Sequence, residues 1–350
     1  MVLTPRRTLA GAGVLAAGLA GGVAARQALL RRPRRAQLPA EAGSVIPLWP
    51  SGTRHRALSV ADGATIHVAE RGPTTGRPVL LLHGITLSAG IWVEQLRRLP
   101  DAGMRVIAVD LRGHGESTIG RDGLALDRLT ADVVEVAEQL SLGDALLVGH
   151  SMGGMAALRL LSIAPSLARG EGWLSALALV ATSARPALGW GLPGARLAVS
   201  AIGPALRGAA ALVRLLPTPT LPDSEAADPL AALSFAEHPE AGAVRLTRRA
   251  TARVPAGTTM ELLAELVRLD ETATLAQTRV PTTVVVGRDD LITPPRHARA
   301  LAAAIHGAEL VELDRCGHMV MLECPDELAA AILELAARSP AGSLRGRRKP

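Results

Sequence analysis

Short apolar runs alternate with helical patterns from residue 56 onward. This alternation is typical of a mainly parallel sheet whose strands are joined by crossover helices. The first two runs flank Asp62 and Gly63, a turn pair that predicts an antiparallel hairpin. The sequence therefore predicts an α/β fold with eight strands and flanking helices. The predicted strands are Ala57–Val60, Thr65–Glu70, Val79–Leu82, Val106–Asp110, Ala145–Val148, Leu177–Ala181, Thr282–Val286 and Glu309–Leu313.

One long stretch interrupts this alternation. Between Thr182 and about Thr274 the chain is rich in Ala, Leu, Pro and Gly and has no clear strand pattern. A stretch of that length is too long for an ordinary connection. We therefore predict a helical cap at 183–274, inserted after the sixth strand into a core formed by 56–182 and 275–337. The predicted core helices are Ile91–Leu99, Thr130–Leu140, Met152–Ile163, Arg296–Ile305 and Asp326–Ala337.

The first 35 residues have the layout of a membrane anchor or an export signal. Thr8–Ala25 carries no charge, with two arginines before it and five soon after it. The excess of arginine after the run favours an uncleaved anchor that leaves the following domain on the cytoplasmic side. The Arg6-Arg7 pair is also similar to a twin-arginine export signal. We expect membrane association with the side left open, then a linker at 36–55.

The net charge of +6 is concentrated at the two ends of the chain. Residues 1–40 and the tail at 338–350, which we expect to be disordered, hold twelve of the 38 basic residues and no acidic residue. The middle of the chain is therefore acidic, and the whole chain has one Phe and no Tyr. Nucleic-acid binders carry basic residues and stacking aromatics on the folded surface. This distribution excludes nucleic acid as the expected partner.

Two cysteines, Cys316 and Cys324, lie eight residues apart. Without a second pair or a matching histidine spacing they predict neither a zinc site nor a disulfide scaffold. Two independent thiols are the simplest interpretation, and a disulfide around His318 would need an oxidising compartment. We predict no metal site.

A candidate nucleophile lies at a predicted strand-to-helix turn. Residues 149–154 read GHSMGG, directly after an apolar run and before a helical pattern. Glycines around a serine at such a turn permit a tight, strained backbone that exposes the hydroxyl. Ser151 is therefore the predicted nucleophile. The backbone N–H groups of Met152 and Ile85 are the predicted oxyanion donors, with Gly84 allowing the backbone to come close.

A serine nucleophile needs a histidine base and a carboxylate that orients this base. His318 follows the last predicted strand, and Asp289 and Asp290 follow the seventh. All three positions fall at the same edge of the sheet as Ser151. From position alone, either aspartate is a candidate.

The chain resembles the α/β-hydrolases of the esterase and lipase type over about residues 57–337. The motifs that carry the resemblance are HG at 83–84, DLRGHGES at 110–117, GHSMG at 149–153, G-x-x-D-x-x-x-P at 287–294 and GH at 317–318. The resemblance implies a nucleophile, acid and histidine in the order Ser151, Asp290 and His318. It implies no cofactor and no protein partner.

The resemblance implies a hydrolase that forms an acyl-serine intermediate. We predict cleavage of a carboxylic ester with a small or medium apolar acyl group. One alternative is a carbon–carbon bond hydrolase of the meta-cleavage-product type, and another is a non-catalytic ligand-binding homologue. The predicted substrate contacts are Gly84, Trp92, Leu291 and Met319.

Overall fold

The computed structural model describes residues 49–185, 203–211, 223–224 and 227–339. Eight strands form one sheet in the order β1-β2-β4-β3-β5-β6-β7-β8. β2 pairs antiparallel with β1 and with β4, and the other neighbours are parallel. The predicted, mainly parallel sheet with its antiparallel start is confirmed. The strands are β1 (Arg54–Ser59), β2 (Thr65–Arg71), β3 (Arg77–Leu82), β4 (Met104–Val109), β5 (Ala145–His150), β6 (Leu174–Val180), β7 (Thr282–Gly287) and β8 (Glu309–Leu313).

Helices cover both faces of this sheet. In the core they are α1 (Val93–Arg98), α2 (Leu126–Gln139), α3 (Met152–Ile163), α4 (Pro165–Ala168), α10 (Pro295–Ala304), α11 (Val320–Glu323) and α12 (Pro325–Arg338). Between β6 and β7 they are α5 (203–211), α6 (Asp228–Ala232), α7 (Ala241–Arg253), α8 (Ala256–Leu266) and α9 (Thr272–Leu275). α2 begins one turn before the predicted Thr130, because Leu126 and Leu129 continue its buried face.

The central strands are buried on both faces, as in other sheets covered by crossover helices. Along β3, Leu80 and Leu82 pack into one apolar cluster, whereas Val79 and Leu81 pack into another. The two clusters lie on opposite sides of the sheet because successive side chains of a strand point to opposite faces. The sheet is therefore held between two cores, which gives its loops a rigid base.

β1 begins at Arg54, three residues before the predicted strand and inside the predicted linker. It is an edge strand in which only Leu58 is buried, so its sequence lacks the apolar alternation of a half-buried strand. Its position comes from pairing with β2 and from contacts such as the ion pair between Arg54 and Glu70. Trp49 packs edge-on against His55 with ring centroids 4.9 Å apart.

Several predicted segments lie wholly or partly outside the described residues. These are the N-terminal segment at 1–35, residues 36–48 of the predicted linker, much of the first half of the predicted cap, and the tail after 339. In the ranges that are described, none of the helices combines the length and apolarity that a membrane crossing requires. The predicted domain boundaries stay predictions.

The DLRGHGES segment is held by a buried arginine. Arg112 has no exposed surface, and its guanidinium donates to both carboxylate oxygens of Asp62 and of Asp132 at 2.7 to 3.0 Å. The pairing stabilises the loop after β4 against the β1–β2 turn and α2.

We expect Arg112→Met to destabilise the protein strongly, because it leaves the buried Asp62 without its cation and the buried Asp132 with Arg128 alone. Breaking a buried ion pair from one side costs about 3 to 5 kcal/mol. Chemical denaturation followed by circular dichroism measures the change. Arg169→Met is the control, since Arg169 and its partner Glu171 are about half exposed, and such pairs contribute little. Equal stability of the two variants would contradict the assignment.

Candidate active site

Ser151 lies in a strained turn between β5 and α3. Its backbone has φ 52° and ψ −118°, outside the regions that residues other than glycine favour. Such a conformation costs about 1 to 3 kcal/mol and persists only where the surroundings enforce it. A Cβ at Gly153 would lie 2.4 Å from the carbonyl oxygen of Leu82, and one at Gly149 would lie 2.6 Å from that of Gly153. The glycines of the motif are therefore required by backbone packing.

Hydrogen bonds from β6 and its loop hold the turn. The N–H of Ser151 donates to the carbonyl of Val180 at 3.0 Å, and the hydroxyl of Thr182 donates to the carbonyl of Ser151 at 2.6 Å. The residue Ser151 is 9% exposed. The backbone is thus held on both sides at the carboxyl edge of the sheet.

His318 is bonded to a carboxylate from the neighbouring loop. Its Nδ1 lies 2.9 Å from Oδ2 of Asp290, so Nδ1 carries a proton and donates it. In neutral histidine the other ring nitrogen, Nε2, is then the basic one. The backbone N–H of His318 donates to the carbonyl of Ser234 at 2.8 Å, which holds the loop that carries the ring. The ring is therefore held in the tautomer that a general base needs.

Asp290 is buried and well supplied with donors. Its Oδ1 accepts the N–H groups of Ile292 at 2.8 Å and Thr293 at 2.9 Å. Burial acts to raise the pKa of Asp290, but His318 and the bonds from Thr293 outweigh it and hold the pKa below its usual value. The carboxylate therefore stays ionised. It is Asp290, rather than its neighbour Asp289, that bonds to the imidazole.

Thr293 is a member of this cluster that the sequence reasoning missed. Its hydroxyl donates to Oδ2 of Asp290 at 2.8 Å and lies 3.3 Å from Nδ1 of His318. A hydroxyl three residues after the aspartate was the available signal, because such side chains often bond back to a nearby carboxylate or backbone group.

His150, inside the GHSMGG motif, packs against the loop that carries His318. Its Nε2 donates to the carbonyl of His318 at 3.0 Å, and the two rings lie 4.7 Å apart. Burial lowers the pKa of His150 well below its usual value, and His318 acts in the same direction. His150 is therefore neutral and packs as a support for the histidine loop.

The predicted oxyanion loop lies close to the elbow. A Cβ at Gly84 would be 3.1 Å from Cβ of Ser151 and 3.0 Å from Nδ1 of His150. Nδ1 of His83 donates to the carbonyl of Gly84 at 2.7 Å, and its Nε2 accepts the N–H of Leu111 at 2.9 Å. Burial lowers the pKa of His83, which matches this neutral tautomer. The loop is thus fixed beside Ser151.

The other residues predicted to contact the substrate or the oxyanion differ in how far they are buried. Trp92, Met152 and Met319 are buried, with the Trp92 ring edge-on to His150 at 6.5 Å. Ile85 and Leu291 are partly exposed. Their roles stay predictions.

Neither a disulfide nor a metal cluster is found around this site. Cys316 and Cys324 are free and buried, and the pKa of the Cys316 thiol is raised by its hydrogen bond with Cys324 and then by burial. Across the described ranges, no group of three or more His, Cys, Asp or Glu side chains has an arrangement that would hold a metal ion.

The strained elbow, the order of the motifs and the sheet define the class of protein. Residues 79–331 match the Alpha/beta hydrolase family. The match covers well over half of the chain, and the chain belongs to this family.

Solved structures similar to this chain include hydrolases and esterases. A hydrolase from Pseudomonas aeruginosa PA01 has a TM-score of 0.65 and 26% identity, over 82% of this chain and 99% of that one. An esterase from Exiguobacterium antarcticum also has a TM-score of 0.65, with 23% identity over 80% of this chain and 98% of that one. The second likeness shows the fold alone.

Sequence relatives match over a shorter region. A protein named non-heme chloroperoxidase CPO-A1, from Kitasatospora aureofaciens, is 44% identical over 93 residues, which is 27% of this chain and 33% of that protein. A putative carbamate hydrolase from Variovorax paradoxus is 41% identical over 96 residues, 27% of this chain and 36% of that protein. The matches thus span about a third of the length of these curated relatives.

Proposed function

We propose that this protein is a carboxylic ester hydrolase that uses Ser151, His318 and Asp290. The hydrogen bond between His318 and the ionised Asp290, next to a strained serine turn, carries the proposal. A serine hydroxyl becomes a nucleophile when an oriented histidine takes its proton. Family membership supports the hydrolytic chemistry.

In the proposed reaction, Oγ of Ser151 attacks the ester carbonyl and His318 takes its proton. The N–H groups of Met152 and Ile85 then stabilise the oxyanion, at about 3 kcal/mol of barrier for each donor. His318 returns the proton to the leaving alcohol, and an acyl-serine forms. Water, activated by the same imidazole, releases the acid and restores Ser151. Asp290 holds the imidazole in place throughout.

The proposed substrate has a small or medium uncharged acyl group. The predicted cap sequence is rich in Ala and Leu, and an apolar wall disfavours a charged acyl chain because burying an unpaired charge is costly. A series of nitrophenyl esters with neutral acyl chains, and matched esters with a terminal carboxylate, tests the preference. We expect a higher kcat/KM for the neutral members. Equal or faster hydrolysis of the charged esters would contradict it.

A second candidate comes from relatives named non-heme chloroperoxidases. Hydrogen peroxide in place of water would convert the same acyl-serine into a peracid, which oxidises halide ions. Monochlorodimedone bromination in the presence of acetate and peroxide measures this activity.

Vinylogous diketones test the carbon–carbon hydrolase alternative on the same preparation. Faster turnover of either than of any ester would replace the esterase proposal.

The location of the protein is a separate proposal. The uncharged run at 8–25 with its flanking arginines supports membrane association through the N-terminal segment. Fractionation of cells into membrane, cytosolic and exported pools, with and without residues 1–35, tests it. Equal recovery of both forms in the cytosol would contradict the anchor.

A further inference from the structure

The loop that carries His318 is packed against the inserted region between β6 and β7. His318 donates its N–H to the carbonyl of Ser234, in the segment that joins α6 to α7. A Cβ at Gly317 would lie 2.5 Å from the backbone nitrogen of Ala236. On its other side, a Cβ at Gly287 would lie 2.1 Å from the carbonyl oxygen of Cys316. The loop therefore has little room between the end of β7 and the inserted segment.

One carboxylate joins these two segments. Oε1 of Glu323, the last residue of α11, accepts the N–H groups of Gly317 at 3.0 Å and Met319 at 3.1 Å. Its Oε2 accepts the N–H of Ala236 at 2.7 Å. Glu323 thus binds both neighbours of His318 with one oxygen and the inserted segment with the other.

We propose that Glu323 is a positioning residue for His318, an inference that rests on the proposed hydrolase function. Its carboxylate links residues 316–319 to residues 234–236. The position of the imidazole therefore depends on how the inserted region packs against the histidine loop. Glu323 reaches neither the substrate nor the reacting atoms in this scheme. Its effect on the reaction passes through the histidine loop.

The charge of Glu323 gives this link a pH dependence. Burial raises the pKa of Glu323 to about 7, and the charge of Asp290 acts in the same direction. The three backbone hydrogen bonds to the carboxylate lower the pKa but do not outweigh burial. The titratable groups that interact with it include Asp290 and Cys316. An ionised carboxylate accepts all three N–H groups, whereas a protonated one has a hydroxyl that needs an acceptor. The link is therefore strongest above pH 7.

Stability and activity should respond to this ionisation in opposite directions. Because the folded pKa of Glu323 lies above its unfolded value of about 4.3, the folded state binds this proton more tightly. The contribution of this proton to the free energy of unfolding is therefore fully present below the pKa of Glu323 in the unfolded state. It is lost as pH rises through the pKa of Glu323 in the folded state. Activity should instead rise as the carboxylate ionises. A purely structural role would move both in the same direction.

Glu323→Gln tests the proposal with little change of shape. The amide oxygen of glutamine can keep the bonds to Gly317 and Met319, but its NH2 group then faces the N–H of Ala236. Small displacements of a catalytic group cost up to about 100-fold in rate, and we expect kcat to fall ten- to 100-fold with KM nearly unchanged. In the wild type, ionisation of Glu323 should raise the activity between pH 6 and pH 8. This contribution to the pH profile should disappear in the variant. Glu327→Gln is the matched control, because Glu327 is an exposed glutamate four residues further on.

Hydrogen–deuterium exchange of the full chain separates this inference from the proposed function. In Glu323→Gln, peptides covering 316–319 and 234–236 should both exchange faster than in the wild type and the control. Unchanged exchange in either segment, or a wild-type kcat and pH profile in the variant, would overturn the proposal. A wild-type protein that hydrolyses no ester would instead defeat the proposed function. The exchange data would still decide whether Glu323 joins the two segments.

Discussion

Replacing Ser151 with alanine should lower ester hydrolysis by about 10⁴- to 10⁶-fold, because no other group supplies the proposed nucleophile. The substitution removes one oxygen and keeps the backbone turn, so the fold should be retained. Initial rates on the best nitrophenyl ester, together with covalent labelling by a fluorophosphonate, measure the loss.

A second buried serine provides a matched control. The hydroxyl of Ser183 lies 2.9 Å from Nδ1 of His297, just after β6. The proposed reaction does not use this pair, so Ser183→Ala should keep both turnover and fluorophosphonate labelling. Labelling that survives in Ser151→Ala and disappears in Ser183→Ala would assign the nucleophile to Ser183 instead.

Replacing Asp290 with asparagine should lower kcat by about 10⁴-fold while the fold is kept. The side-chain oxygen of asparagine can still accept the N–H groups of Ile292 and Thr293. Its NH2 group would then face Nδ1 of His318 and favour the tautomer with the proton on Nε2. That nitrogen could no longer take the proton of Ser151. Steady-state kinetics on the same ester measure the effect.

A substitution at the neighbouring Asp289 tests whether the loss of activity at Asp290 comes from the lost charge or from the position of that charge. Asp289→Asn removes an equal charge one residue away, and we expect its kcat to stay within a few-fold of the wild-type value. A larger loss in Asp289→Asn than in Asp290→Asn would show that the acid had been assigned to the wrong residue. Circular dichroism of both variants checks that each is folded.

The central part of the fold was predictable because its strands are buried on both faces. β3, β5 and β7 appear in the sequence as continuous apolar runs, and each ends in a motif with glycine. Parallel strands bring such ends to one edge of a sheet. The sequence therefore predicts that Ser151, His318 and the two aspartates lie at one edge of the sheet.

Elements that depend on a partner were harder to predict. β1 is mostly exposed and polar, and it exists as a strand because it pairs with β2. Glu323 acts through hydrogen bonds whose donors lie in the histidine loop and in the segment between α6 and α7. The sequence around Glu323 contains no pattern that specifies those donors.

The sequence by itself determined the class of fold, the strained serine turn and the order of the candidate residues. Those features follow from local periodicity and from glycines at turns, which act within a few residues of chain. The tertiary structure showed the bond from His318 to Asp290, the aspartate that the family resemblance implied, and it alone showed that Glu323 joins the histidine loop to the inserted segment. Those contacts depend on side-chain direction and on distances between segments remote in the chain, which periodicity does not encode.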